Sequence, residues 1–108
     1  MIKHQRYNSG PKKVFVDIDE TICFYDGDRI YENAIPSIEN ISKVNKLYDD
    51  GCEITYWTAR GSVSGLDYFK LTERQINEWG CKYHYLRVGD KPPYDLLICD
   101  KTMRIEEI

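Results

Sequence analysis

The sequence predicts an α/β fold, a parallel sheet of about four strands covered by helices on both faces. Three observations carry this. Short strand-like runs recur at 13–16, 53–57, 83–88 and 96–99, apolar in the first, second and fourth and alternating in the third. Segments of helical period separate the second and third of these runs from the strands before them. Glycines and prolines mark the joints. Strands alternating with helices imply right-handed crossovers and a parallel sheet.

The elements follow in order. Residues 1–10 are polar and unpatterned, which predicts an arm, and 11–108 is predicted as one minimal domain. The first strand delivers Asp17-Ile18-Asp19-Glu20-Thr21 to a loop. Asp26-Gly27 lies between two aromatic or apolar runs, a strong hairpin signal because both turn positions favour positive φ. Pro36 and Ser37 then open a helix in which Ile38, Ile41, Val44 and Leu47 share a face, and Gly51 closes it. The second strand, 53–57, ends at Thr58. Thr72 and Gln75 read as a capping box starting a second helix that Gly80 ends. Tyr83 to Val88 is a third strand of alternating character, an irregular stretch follows at Lys91-Pro92-Pro93, and a fourth strand, Leu96 to Cys99, ends at Asp100. The tail from 101 to 108 is too short for another unit.

Composition narrows the classes of function. At 108 residues, 42% hydrophobic and 31% charged, the chain is long enough for a real core. A net charge of −3 argues against nucleic acid or an anionic membrane as partner. No run is long and apolar enough to span a bilayer and no signal-peptide core is evident, so a cytoplasmic location is expected. Cys23, Cys52, Cys81 and Cys99 lack C-x-x-C pairing and are expected as free thiols.

The chemistry converges on one edge. In a parallel sheet all strand C-termini lie together, where open α/β sheets bind ligands. Asp17 and Asp19 follow the first strand, Thr58 the second and Asp100 the fourth, with Lys91 leading into the fourth. Singly, each has a plain structural explanation: an acidic turn, a capping threonine, a solvated lysine. Together they suit phosphoryl transfer through an aspartyl-phosphate. Mg²⁺ needs only one or two carboxylates besides waters and phosphate oxygens, and Asp17 and Asp100 suffice for this.

Over nearly its whole length the chain resembles the haloacid dehalogenase (HAD) superfamily of phosphohydrolases. The motifs are Asp17-Ile18-Asp19-Glu20-Thr21 after an apolar strand, Ile54-Thr55-Tyr56-Trp57-Thr58 followed by Ala59-Arg60-Gly61, Lys91, and Leu96-Leu97-Ile98-Cys99-Asp100. The segment from Thr58 to Trp79 is similar to that of small bacterial and phage HAD-like proteins linked to capsule or sugar-phosphate metabolism. The resemblance implies a Rossmann-like core with a hairpin flap beside the first motif. It implies Asp17 as nucleophile and Asp19 as general acid/base. Mg²⁺ would be held by the side chains of Asp17 and Asp100 and the backbone carbonyl of Asp19, and Thr58 and Lys91 would orient the phosphoryl group. Arg60 and Ala59, just past that threonine, are candidate substrate contacts, though Arg60 is as readily a surface residue paired with an acid. Cys99 stands where relatives often carry Asp or Gly, which weakens the metal assignment.

The spans between motifs leave no room for a cap domain, so the expected substrate is a sugar phosphate or other small phosphomonoester at an open site. The aromatic content suits a second copy of the chain covering that site. The competing reading is a catalytically weak or silent phosphate-binding module, or a receiver-like phospho-acceptor. Receiver domains carry their acidic acceptor after the third strand, where this chain has Gly89-Asp90. A D-x-D glycosyltransferase would need more chain to bind a sugar nucleotide and an acceptor.

Overall fold

A computed structural model describes residues 12–90 and 103–108. Strand β1 (Lys13–Val16) leads into a tight acidic turn, and β2 (Cys23–Phe24) pairs antiparallel with β3 (Ile35–Pro36). Helix α1 (Ile38–Asp49), strand β4 (Glu53–Thr58), helix α2 (Phe69–Glu78) and strand β5 (Tyr85–Val88) complete the main body. The tail folds into a single 3-10 turn, Ile105–Glu107, that inserts Ile105 into the core.

The main sheet is parallel, in the order β1-β4-β5, with Val16 opposite Tyr56 and Thr58 opposite Val88. Its register sorts the side chains cleanly. Val16, Ile54 and Tyr56 share one face and join a single buried cluster with Ile41 and Val44 of α1 and Ile76 of α2, with Val14 and Leu86 packed against it. Phe15, Trp57, Tyr85 and Arg87 lie on the other face, where Phe15 meets Trp57 edge-on and Arg87 stacks over the Trp57 ring. Among the described residues, then, both helices cover the same face, not opposite ones as the sequence predicts. The strand order explains this. Successive strands step across the sheet in one direction, so two right-handed crossovers turn to the same side.

Both helices end alike. In α1 the Gly51 and Cys52 amides donate to Tyr48 and Leu47 carbonyls, and in α2 Gly80 and Cys81 donate to Asn77 and Ile76. These are Schellman closures, with the glycine at positive φ in each. Their starts differ. The Ser37 side chain accepts from the Asn40 amide at 3.2 Å, as expected of an N-cap. Helix α2 instead begins after Tyr68 with no side-chain cap. Thr72 and Gln75 lie inside it, so the capping-box expectation is corrected: one more turn precedes Thr72, and the pair faces inward.

The hairpin also differs in detail. Residues 23–24 pair with 35–36, not with the run just past Asp26-Gly27, and the intervening 25–34 make a broad flap containing a 3-10 turn at Tyr31–Asn33. The flap and α1 fill the span from Asp19 to Thr58. A turn, α2 and β5 fill that from Thr58 to Gly89. No cap domain intervenes among the described residues, and no helix there is long and apolar enough to cross a membrane. Cys23, Cys52 and Cys81 are free thiols. The expected fourth strand and the N-terminal arm lie outside the described residues.

Candidate active site

The turn after β1 is built by its own backbone. The Thr21 and Ile22 amides both donate to the Ile18 carbonyl, and the Glu20 amide donates to Cys23. Closing it puts Glu20 at φ 65°, the left-handed region that a side chain disfavours. Ile18 points into the core while Asp17 stays exposed at the strand exit and Asp19 turns inward.

The inward carboxylate meets Arg60, and this pair organises the site. Arg60 Nε donates to Asp19 Oδ2 at 3.1 Å and Nη2 to Oδ1 at 2.9 Å, a bidentate fork. Both side chains are removed from water, the arginine at 0% exposure and the aspartate at 9%. Arg60 Nη1 donates to Thr72 Oγ1 at 3.1 Å and to Gln75 Oε1 at 2.6 Å. The second Nη2 hydrogen reaches the Tyr25 oxygen at 3.3 Å, and Tyr25 donates its own proton to Asp19 Oδ1 at 2.5 Å. All five guanidinium donors are thereby matched. Tyr31 lies against the guanidinium, its ring centroid 4.7 Å from Cζ.

Electrostatics follow from this packing. Burial works to raise the Asp19 carboxyl, but the Arg60 fork and the Tyr25 and Cys23 donors outweigh it, and the group sits below its ordinary value. Burial and then the neighbouring Asp19 charge push the Cys23 thiol up to about 12. That thiol is inert, as expected of a buried cysteine.

Thr58, the last residue of β4, is buried, and its Oγ1 accepts from the Arg60 amide at 3.3 Å. The sheet register sets Asp17 one residue past Val16, which pairs with Tyr56, so Asp17 and Thr58 leave adjacent strands at the same edge. The loop after β5 joins them, since the Gly89 amide donates to the Thr58 carbonyl at 3.0 Å. The Ala59 carbonyl starts a turn by accepting from Ser62, and Gly61 sits in it at φ 84°. A Cβ on Gly61 would lie 2.1 Å from the Leu66 carbonyl oxygen.

Asp17, Asp19, Thr58, Ala59 and Arg60 thus come to one edge of the sheet. Lys91, Cys99 and Asp100 lie outside the described residues. Arg60 is neither a surface residue nor turned towards solvent, and contacting a substrate would cost it one of the bonds above. Four members of the site escape the sequence reading: Tyr25, Tyr31, Thr72 and Gln75. For the last two a signal exists. Thr72, Gln75 and Ile76 form the inward stripe of α2, so two polar residues occupy core positions and need a buried partner.

Among the described residues no three His, Cys, Asp or Glu side chains gather as a metal site. The exposed Asp17 carboxylate offers hard oxygen, the ligand type Mg²⁺ takes, at this edge. The Asp19 carboxylate itself is committed to Arg60.

Comparison with known proteins adds the fold. No family model matches the chain, and no curated protein matches it significantly. Among solved structures, a crystal structure of an MCSG target from Vibrio cholerae is similar, with a TM-score of 0.78 at 23% identity, covering 89% of this chain and 85% of that one. The likeness establishes a shared α/β fold over most of both chains.

Proposed function

We propose that the chain is a Mg²⁺-dependent phosphomonoesterase acting through phospho-Asp17. The observation that supports it is the division of labour within the D-x-D pair. Asp17 is exposed at the strand exit, while Asp19, two residues on, is oriented by a buried bidentate arginine. Asp17 attacks phosphorus, the ester bond breaks and the leaving oxygen takes a proton. Water then attacks the phosphoryl group, loses a proton, and Asp17 is regenerated. Asp19 would take that proton only with the Arg60 fork loosened, because the fork that holds it ionised also makes it a weak base. Protonating the leaving oxygen in the first step requires Asp19 to carry a proton first. Thr58 takes the Arg60 amide on its oxygen, which directs its O–H elsewhere, towards a phosphate oxygen. Asp17 and the Asp19 carbonyl, with Asp100, would hold Mg²⁺, which supplies charge neutralisation for the phosphoryl group. Lys91 would bind a further phosphate oxygen. With only a flap beside it among the described residues, the site suits a small phosphomonoester such as a sugar phosphate.

The test is turnover of an aryl phosphate and a sugar-phosphate panel with Mg²⁺ or EDTA. Activity is expected to vanish in Asp17→Asn and on chelation, and activity that survives either overturns the mechanism. Asp19→Asn should slow an alkyl phosphate more than an activated aryl one if Asp19 also serves as acid. Equal losses leave it as base alone. One observation favours a second reading, a silent phosphate-binding module. The Asp19 carboxylate is enclosed in a saturated network, as a purely structural ion pair would be. Intact Mg²⁺ binding without turnover of any substrate would select that reading.

A further inference from the structure

The flap has little holding it within itself. Its two strands share only two residue pairs, and a hairpin of that size is marginal alone. What ties it down lies elsewhere. Gln75 donates through Nε2 to the Tyr31 carbonyl at 2.7 Å, and through Oε1 it accepts from Arg60 at 2.6 Å. One amide, in the buried face of α2, therefore grips the flap backbone with one end and the guanidinium that orients Asp19 with the other. Tyr31 packs on the guanidinium and edge-on against Tyr68, 4.9 Å between centroids, just ahead of α2. Tyr25, from the opposite side of the flap, donates to Asp19.

We infer that Gln75 is a positioning residue that keeps the flap in register with Asp19, by joining both to helix α2. The inference rests on the reading of the flap as the cover of a phosphoryl-transfer site, but the coupling itself is testable without catalysis. The two ends of the amide can be separated chemically. Gln75→Glu keeps an oxygen for Arg60 and, ionised beside that guanidinium, turns a second oxygen on the Tyr31 carbonyl in place of the N–H that holds it. Gln75→Met removes both.

Hydrogen exchange on the full chain reads the result. In Gln75→Glu, flap amides such as Asn33 and Ala34, which donate to Ile30 and Tyr31, should exchange about tenfold faster, the weight of one buried hydrogen bond. Amides of β4 should accelerate no more than this, and the denaturation midpoint should fall by at most the weight of that one bond. Gln75→Met should speed flap exchange and also lower the midpoint, because Arg60 Nη1 loses an acceptor. If Gln75→Met does not fold, Gln75→Glu alone decides. Flap exchange unchanged in Gln75→Glu, or acceleration of β4 and α1 greater than that of the flap, overturns the inference. In an active chain, Gln75→Glu should raise KM by a larger factor than it lowers kcat. An inert chain whose flap alone loosens would retain the coupling and discard the phosphatase reading.

Discussion

The two strand-to-helix units of this molecule have the same ending and opposite interiors. In the first, β1 to α1, the helix is capped by Ser37 and buries Ile41 and Val44. In the second, β4 to α2, the helix has no side-chain cap and buries Thr72 and Gln75 beside Ile76. The exits differ in the reverse sense. The second unit puts a glycine, Gly61, at its left-handed position, and the first puts Glu20 there. Unit two accepts a polar interior to hold an arginine, and unit one accepts a strained turn to present its aspartates. Each departs from the plain packing solution where it faces the candidate site.

Four substitutions test this contrast, from the largest expected effect down. Arg60→Met strands the Asp19 carboxylate in a buried site, and removing one partner of such a pair costs about 3–5 kcal/mol in denaturant unfolding at neutral pH. A loss below 1 kcal/mol would show that the network contributes little. The pH dependence has a defined sign. Asp19 titrates below its ordinary 3.8 when folded, so the stability it provides is present above that value and is lost as pH falls through the folded one. Arg60→Met should therefore flatten the acid limb of the stability curve, and an unchanged limb would place the acid sensitivity elsewhere.

Gly61→Ala comes next. The left-handed conformation costs a side chain about 1–2 kcal/mol, and the collision with Leu66 adds overpacking of similar size. Ser37→Ala should cost about 1 kcal/mol through the lost cap of α1. The smallest effect has the opposite sign. Glu20→Gly should stabilise by up to about 1 kcal/mol by relieving positive φ, less the half-exposed ion pair with Arg29 at 3.4 Å. A loss of stability in Glu20→Gly would remove strain from the account of unit one.

The sequence announces the parts of this molecule that follow a period or a local rule. The strands at 13–16 and 53–58, the Ser37 cap, the Gly51 and Gly80 closures and the placing of Asp17 and Thr58 at one edge are all local or periodic. The pairing of Asp19 with Arg60 is neither. It depends on how two crossovers stack on one side of the sheet, and nothing within either segment encodes that. Thr72-x-x-Gln75 shows how a local rule misleads. The spacing that makes a capping box also puts two side chains on one helical face, and only the true helix start at Phe69 separates the alternatives.

Asp19 and Arg60 are 41 residues apart, and Gln75 and Tyr31 are 44 apart. Contacts of such separation wait for the loops between them to close. The order of assembly then has a meaning of its own. Strand pairing of β1 with β4 brings Asp19 and Arg60 within reach of one another, and a fork that closes only after the folding barrier would leave its mark on unfolding alone. Arg60→Met should act mainly on the unfolding rate and leave refolding nearly unchanged, as stopped-flow chevrons would read. A chain caught before the fork closes would have its sheet but an unanchored Asp19.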